Sequence, residues 1–223
     1  MRERGIKRES IPLEISGMQP LRALNSWTVR IALSLVAAAC QTQTGGSPTA
    51  TAPLSISPDL RVSRAPFESV EVNWKQRIDQ PYVFLEVRGS YTAAGRCLER
   101  AFEAARAQGL EITGPPFALY YDDPGSVPVA ELRMRACLPV ERLAEPAAPL
   151  AFDVLESTTV AYAFVAGPYP EVPRAYPALF DYLARLDWTL AGPIRETYLQ
   201  DPSRAGDLDQ LVTEVQFPAT SAR

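Results

Sequence analysis

The sequence repeats itself at a fixed offset. Gly89-Ser90-Tyr91 returns as Gly167-Pro168-Tyr169, and Gly114-Pro115 followed by Tyr120 and Asp123-Pro124 returns as Gly192-Pro193, Tyr198 and Asp201-Pro202, each 78 residues later. Two unrelated motifs sharing one offset mark residues 64–219 as a duplicated module. Whatever one half folds into, the other must match, and the two must meet. The interface so created is a natural place for a ligand.

Hydrophobic periodicity assigns both halves the same order of elements. In the first, residues 82–88 are a β-rich run, and Tyr91 opens a helix with Ala94, Leu98, Ala101, Phe102 and Ala105 on one face, ending near Gly109. Residues 117–121 form a strand that runs into an Asp122-Asp123-Pro124-Gly125 turn, and Leu132, Met134, Ala136 and Leu138 alternate along another. In the second half, residues 160–165 read as a strand, and Tyr176, Leu179, Phe180 and Leu183 as the apolar face of a helix; residues 194–199 and 211–217 are two more strands. Residues 67–74 add strand material expected at the first module's edge. The expected fold is α+β: two pseudo-symmetric strand-helix-strand-strand modules forming antiparallel sheets, with helices on one face and a cleft between modules. Module one spans about 65–141 and module two about 152–220, together one domain over 65–220.

Upstream the composition changes. Arg22 and Arg30 precede an apolar stretch, residues 31–39, that ends in Ala37-Ala38-Ala39-Cys40. This resembles a bacterial lipoprotein signal, in which the cysteine thiol takes a diacylglycerol and the chain is cleaved before it. Ala37 stands where leucine is usual. Residues 1–39 are thus expected to be a signal peptide, Cys40 the lipidated residue, and Met18 the start that would give the signal an ordinary length. The apolar run is shorter than the ~20 residues needed to cross a bilayer. An uncleaved anchor and a short buried helix are the other readings. Residues 41–53 carry no large apolar side chain and cannot bury enough surface to offset their ordering entropy, so residues 40–64 read as a tether. Gln41 in place of aspartate resembles outer-membrane sorting, which implies the periplasmic face of the outer membrane.

Residues 1–39 hold six Lys or Arg and three Asp or Glu, so without them the formal charge moves from −4 to −7. An acidic balance with no basic cluster disfavours phosphate backbones, and no nucleic-acid partner is expected. The chain has no histidine, which excludes Ser-His and Cys-His nucleophilic pairs and the usual zinc sites. No phosphate-binding glycine loop is present, and no metal is expected. Cys97, in the first helix, and Cys137, in a strand of the same module, either pair as a disulfide or are two separately buried thiols.

Gly167-Pro168-Tyr169, Gly192-Pro193 with Glu196-Thr197-Tyr198-Leu199 and Asp201-Pro202, and the closing Thr213-Glu214-Val215-Gln216-Phe217-Pro218 resemble the GyrI-like small-molecule-binding family, also described as the AraC effector-binding domain. The resemblance covers residues 66–219 and both halves. It implies a cleft between the modules, lined by aromatic rings and often holding one glutamate that meets cationic or polar ligands. Some members sense drugs or metabolites in transcriptional regulators, some stand-alone members hydrolyse cyclopropanoid compounds, and one group inhibits gyrase. A lipoprotein signal makes cytoplasmic gyrase an implausible target.

Within the matching motif Glu196 is the residue that carries the ligand-binding expectation. Period-two alternation puts it on one strand face with Ile194 and Tyr198, and its first-module counterpart is Ala118. A partly desolvated carboxylate gains from an organic cation that stacks on tyrosine faces. The plainer reading places Glu196 at an exposed edge, or pairs it with Arg195 or Arg133. Tyr120 and Tyr198 occupy equivalent positions level with Glu196 and are pocket candidates; Tyr91 and Tyr169 are either pocket wall or structural caps. The Asp-Pro turns are structural. The function expected is membrane-tethered binding of a small organic molecule. The alternatives are a cyclopropanoid-type hydrolase with Glu196 as general acid or base, and a structural envelope lipoprotein. Haem-binding SOUL proteins are similar in architecture, but no residue here marks an axial ligand, so no cofactor is expected. Fatty-acid labelling in a bacterial host checks the anchor: label should enter the full-length protein, and Cys40→Ser should abolish both the label and membrane association.

Overall fold

The computed structural model describes residues 56–141, 144–202 and 205–222; Cys40, the expected signal peptide and most of the expected tether lie outside the described residues. Among the described residues ten strands are present: β1 (Ser63–Arg64), β2 (Asn73–Arg77), β3 (Gln80–Arg88), β4 (Phe117–Tyr120), β5 (Arg133–Pro139), β6 (Ala151–Leu155), β7 (Thr158–Ala166), β8 (Trp188–Leu190), β9 (Ile194–Tyr198) and β10 (Val212–Ser221). Two α-helices accompany them, α1 (Ala94–Ala107) and α2 (Tyr176–Arg185). Among the described residues no helix is long and apolar enough to cross a membrane.

The strands form one sheet in the order β1-β7-β10-β9-β4-β5-β3-β6, with β2 also on β7 and β8 also on β10. All pairings are antiparallel except β1 with β7. The modules do not form separate sheets: β4 of the first pairs with β9 of the second, in a register that sets Ala118 opposite Glu196. These two residues are repeat equivalents, so the pseudo-twofold axis passes between them.

A second ladder crosses the same axis. The pairing of β2 with β7 and of β3 with β6 follows a single register, from Asn73 opposite Tyr162 to Phe84 opposite Ala151. It is interrupted at residues 78–79 and 156–157, where the Ser157 N–H donates to Asp79 at 2.8 Å and Arg77 donates to the Glu156 carbonyl at 3.0 Å. The strand material before β3 therefore pairs with the second module, not with the first module's edge as the sequence suggested. It starts at Asn73, too, rather than at residue 67. The reason is that β2 runs on into β3 with no reversal, which carries it past its own module. The sheet curls without closing. Arg77 and Tyr82, beside that interruption, lie close enough to Arg195 of the central strand to act on its charge.

Both helices cover one face. Cys97, Leu98, Ala101 and Ala105 of α1 pack with Val83, Leu85, Met134, Ala136 and Leu138. Leu179 and Leu183 of α2 pack with Ala161, Ala163, Val165, Val215 and Phe217. The repeat trades volume across this contact. Small Ala101 and Ala105 meet Val83 and Leu85 in one half, whereas large Leu179 and Leu183 meet Ala161 and Ala163 in the other, and the interior stays filled both ways. Gly89 and Gly167, with φ of 122° and 145°, make the strand-to-helix turns that bring each helix back over the sheet; a side chain there would be strained. Their N–H groups donate to the Leu132 and Leu211 carbonyls, each at 2.9 Å.

The opposite face buries Tyr82, Phe84, Phe117, Leu119 and Cys137. Cys97 thus faces the sheet from α1 and Cys137 lies on the far side of the sheet, and both thiols are free, which removes the disulfide reading. Phe180 also departs from its expected place. It is 46% exposed and meets the Phe217 ring edge-to-face at 4.8 Å, whereas Leu179 is fully buried. Leu179→Ala should cost about 2–5 kcal/mol in urea unfolding and Phe180→Ala clearly less. Equal losses would contradict this packing.

Candidate functional site

Strand alternation aims Glu196 at the helix side of the sheet, and the register of β10 sets Val215 of the helix-side core beside it. There the carboxylate is 2% exposed. Its Oε1 accepts the Tyr176 hydroxyl at 2.7 Å, and its Oε2 accepts those of Tyr198 at 2.9 Å and Tyr120 at 3.4 Å. The Tyr120 and Tyr198 hydroxyls also meet each other at 2.9 Å. Three strands or helices thus converge on one acid: β4 brings Tyr120, β9 brings Glu196 and Tyr198, and the first residue of α2 brings Tyr176.

Two further tyrosines close the ring of aromatics. Tyr91 stacks edge-on to Tyr120 at 4.8 Å, and Tyr169 tilts over Tyr198 at 4.5 Å. Neither hydroxyl reaches the acid. Tyr91 donates to the Asp122 carbonyl at 2.9 Å and Tyr169 to the Gln200 carbonyl at 2.8 Å, so each ties its strand-to-helix turn to the strand end below. Both hydroxyls cap their turns, and both rings lie against the tyrosines that hold the acid. The plainer reading of Glu196 does not hold: it is neither at an exposed edge nor paired with an arginine. Arg195 points to the other face, and Arg133 is engaged by Asp122 at 2.8 Å.

Tyr176 was placed by its sequence spacing on the apolar face of a helix, and its role at the acid was missed. A signal existed. Its repeat equivalent is Leu98, just as that of Glu196 is Ala118, so two positions where the halves differ touch each other. The asymmetry at the axis has a physical cause. Directly opposed residues on antiparallel strands have side chains roughly 5 Å apart, and two carboxylates there would repel.

Burial pushes the Glu196 carboxyl up to about 7, while the three tyrosine hydrogen bonds pull it back down. The hydroxyls of Tyr120, Tyr176 and Tyr198 are held well above their usual range, by burial first and then by the nearby acid, so they stay protonated donors. Among the described residues no group of three or more Cys, Asp or Glu is placed to hold a metal ion. The arrangement offers a negative or neutral acid, switchable near neutral pH, inside a box of rings.

A carboxyl raised in the folded state makes folding favour the protonated form. Stability from this group is present below its unfolded value of 4.5 and is lost as pH rises through about 7. Between pH 5 and 8 the wild type should lose about 2.5 kcal/mol relative to Glu196→Gln in urea unfolding, by the linkage of about 1.4 kcal/mol per unit. Parallel pH profiles for the two proteins would refute the assignment.

The comparisons with known proteins agree with this architecture. The family model for the GyrI-like small molecule binding domain matches residues 71–220. The crystal structure of the EcmrR C-terminal domain is similar over 68% of this chain and 98% of that one, with 18% identity and a TM-score of 0.62. In the cryo-EM structure of the EcmrR-DNA complex in EcmrR-RPo the same likeness, at 18% identity and a TM-score of 0.61, covers 68% of this chain but only 57% of the EcmrR chain. SAV2435 bound to tetraphenylphosphonium is similar over 67% of this chain and 94% of that one, with 13% identity and a TM-score of 0.50. At these identities the likeness speaks for the fold. No curated protein matches the chain. The expectation that nucleic acid plays no part is overturned by the EcmrR complex, where this fold is part of a chain bound to DNA. Acidity describes the surface of one domain and does not determine what a chain containing that domain assembles with. The duplicated sheet, the helices on one face and the matching family model together make this chain a member of the GyrI-like small-molecule-binding-domain family.

Proposed function

We propose that this domain binds a small organic cation at Glu196, and that Cys40 tethers it to the cell envelope at the periplasmic face of the outer membrane. The observation that carries the ligand class is the buried carboxylate held, among the described residues, by tyrosine hydroxyls with no cation beside it. A lipophilic cation entering the box would supply the missing positive charge, offset the burial penalty of the ionised acid, and stack on the tyrosine faces. Tetraphenylphosphonium on SAV2435 is a cation of this class, bound to a protein of the same fold.

The site is closed around Glu196, so a ligand must take the place of at least one tyrosine hydroxyl. Tyr176 is the one that comes from a helix end and not from the central strands, and it is the contact that a ligand replaces at least cost to the sheet.

A second reading rests on the surroundings of Glu196, a buried carboxyl held by three tyrosine hydroxyls, where burial raises it to about 7. A group titrating near neutral pH beside protonated tyrosines is suited to general acid–base hydrolysis. The two readings part on turnover. A binder returns its ligand intact, whereas a hydrolase releases product and loses that release in Glu196→Gln.

Binding of a cation requires the ionised acid, which sets the sign of the pH dependence. Affinity for tetraphenylphosphonium should rise roughly tenfold per pH unit up to about 7 and level off above it. In Glu196→Gln it should be weak and independent of pH. Titration calorimetry at pH 5.5, 6.5 and 8 reads both; binding that ignores pH or survives the substitution would remove Glu196 from the site.

A further inference from the structure

The alternation that turns Glu196 toward the helices turns Arg195 and Thr197 toward the other face, where Gln216 and Glu214 of β10 lie directly opposite them. All four side chains are buried, and Arg195 is 3% exposed. The Arg195 guanidinium lies over the Phe117 ring at 4.1 Å and makes no hydrogen bond or ion pair among the described residues. The nearest carboxylate is already occupied: Glu214 accepts from the Lys75 ammonium at 2.6 Å and from the Gln216 amide at 3.0 Å. The other cations of this face are engaged as well. Arg135 holds Asp153 at 2.7 Å and the Tyr82 hydroxyl at 2.8 Å, and Arg77 holds the Glu156 carbonyl.

Arg195 is thus a buried cation whose one favourable carboxylate, Glu214, acts on it through space while bonding Lys75 and Gln216 instead, and it does not stand alone. Arg195 Nε, Thr197 Oγ1 and Gln216 Oε1 are all buried atoms with no hydrogen-bond partner, on adjoining positions of two paired strands. Buried polar groups are almost always paired, so three orphans in one cluster form half of a hydrogen-bond set. The missing half is defined by its chemistry: an anionic oxygen for the guanidinium and the threonine hydroxyl, and a donor for the glutamine carbonyl oxygen. Burial lowers the Arg195 pKa to about 10, which leaves the guanidinium charged at neutral pH.

We propose that the helix-free face holds a second binding site, anchored by Arg195 with Thr197 and Gln216, for a small organic acid that also carries a hydroxyl group. The carboxylate of such a ligand takes the guanidinium, and its hydroxyl donates to the Gln216 carbonyl oxygen. This site lies across the sheet from Glu196 and takes the opposite charge, so it stands or falls independently of the cation reading.

Thermal unfolding of the full chain with malate and with salicylate, against equal ionic strength of sodium chloride, tests it. At least one of these acids should raise Tm by several degrees in the wild type and in Glu196→Gln. The shift should vanish in Arg195→Met, and Thr197→Val should bind the acid about tenfold more weakly by calorimetry. Without ligand, Arg195→Met should melt no lower than the wild type, because it removes an unpaired buried charge and keeps the packing. No shift with either acid in the wild type, or a shift that persists in Arg195→Met, would overturn the proposal. Should Arg195→Met fail to fold, Thr197→Val decides alone: unchanged affinity for the acid overturns the proposal.

Discussion

The pairing of β4 with β9 is the contact on which the rest depends. It is the seam between the two modules, and its register sets Ala118 against Glu196 and Leu119 against Arg195. One-residue slippage would reverse every side chain on these strands, sending Glu196 to the helix-free face and Arg195 under the helices. The register is held from both sides. Phe117 and Leu119 are buried on one face and Ala118 on the other, so the central strand has no solvent face to turn toward.

A duplicated fold meets itself at its axis, and there perfect repetition is impossible for a charged residue. The chain departs from its repeat where the halves touch. Glu196 has alanine as its counterpart and Tyr176 has leucine, and these two departures form a hydrogen bond of 2.7 Å. Elsewhere the halves agree down to backbone detail. The Thr113 and Ala191 N–H groups donate to the Pro139 and Pro218 carbonyls, and the left-handed residues Gly109 and Asp187 end equivalent helices. Symmetry builds the frame, and its local failure builds the site.

The two faces of the seam share one physical cause. Desolvation raises Glu196 toward neutrality and lowers Arg195, one residue away, from its ordinary value. The acid is compensated by three hydroxyls, while the guanidinium lies over a ring and feels the Glu214 carboxylate only through space. A sheet carrying ionisable groups on both buried faces gives up stability that apolar residues would have supplied. That sacrifice is the physical ground for reading both positions as functional.

Much of this protein was legible in its sequence. The fixed offset established the duplication, and the periodicities located both helices and the principal strands of each module. Glu196, Tyr120 and Tyr198 fell level with one another because period-two alternation is a local property of any strand. What the sequence did not disclose depends on partners far apart in the chain. β2 pairs with the second module, β6 and β8 are short edge strands with weak patterns of their own, and Tyr176 reaches the acid although its spacing marks it as ordinary core. Cys97 and Cys137 lie in one module yet on opposite sides of a sheet. Sequence alone determined which elements exist and which way each side chain leaves its strand, because those follow from covalent geometry and local burial. Tertiary structure decided which strands lie side by side, and so which charges are buried together, because backbone hydrogen bonding can join any two strands and only the packing of the whole sheet selects the pair.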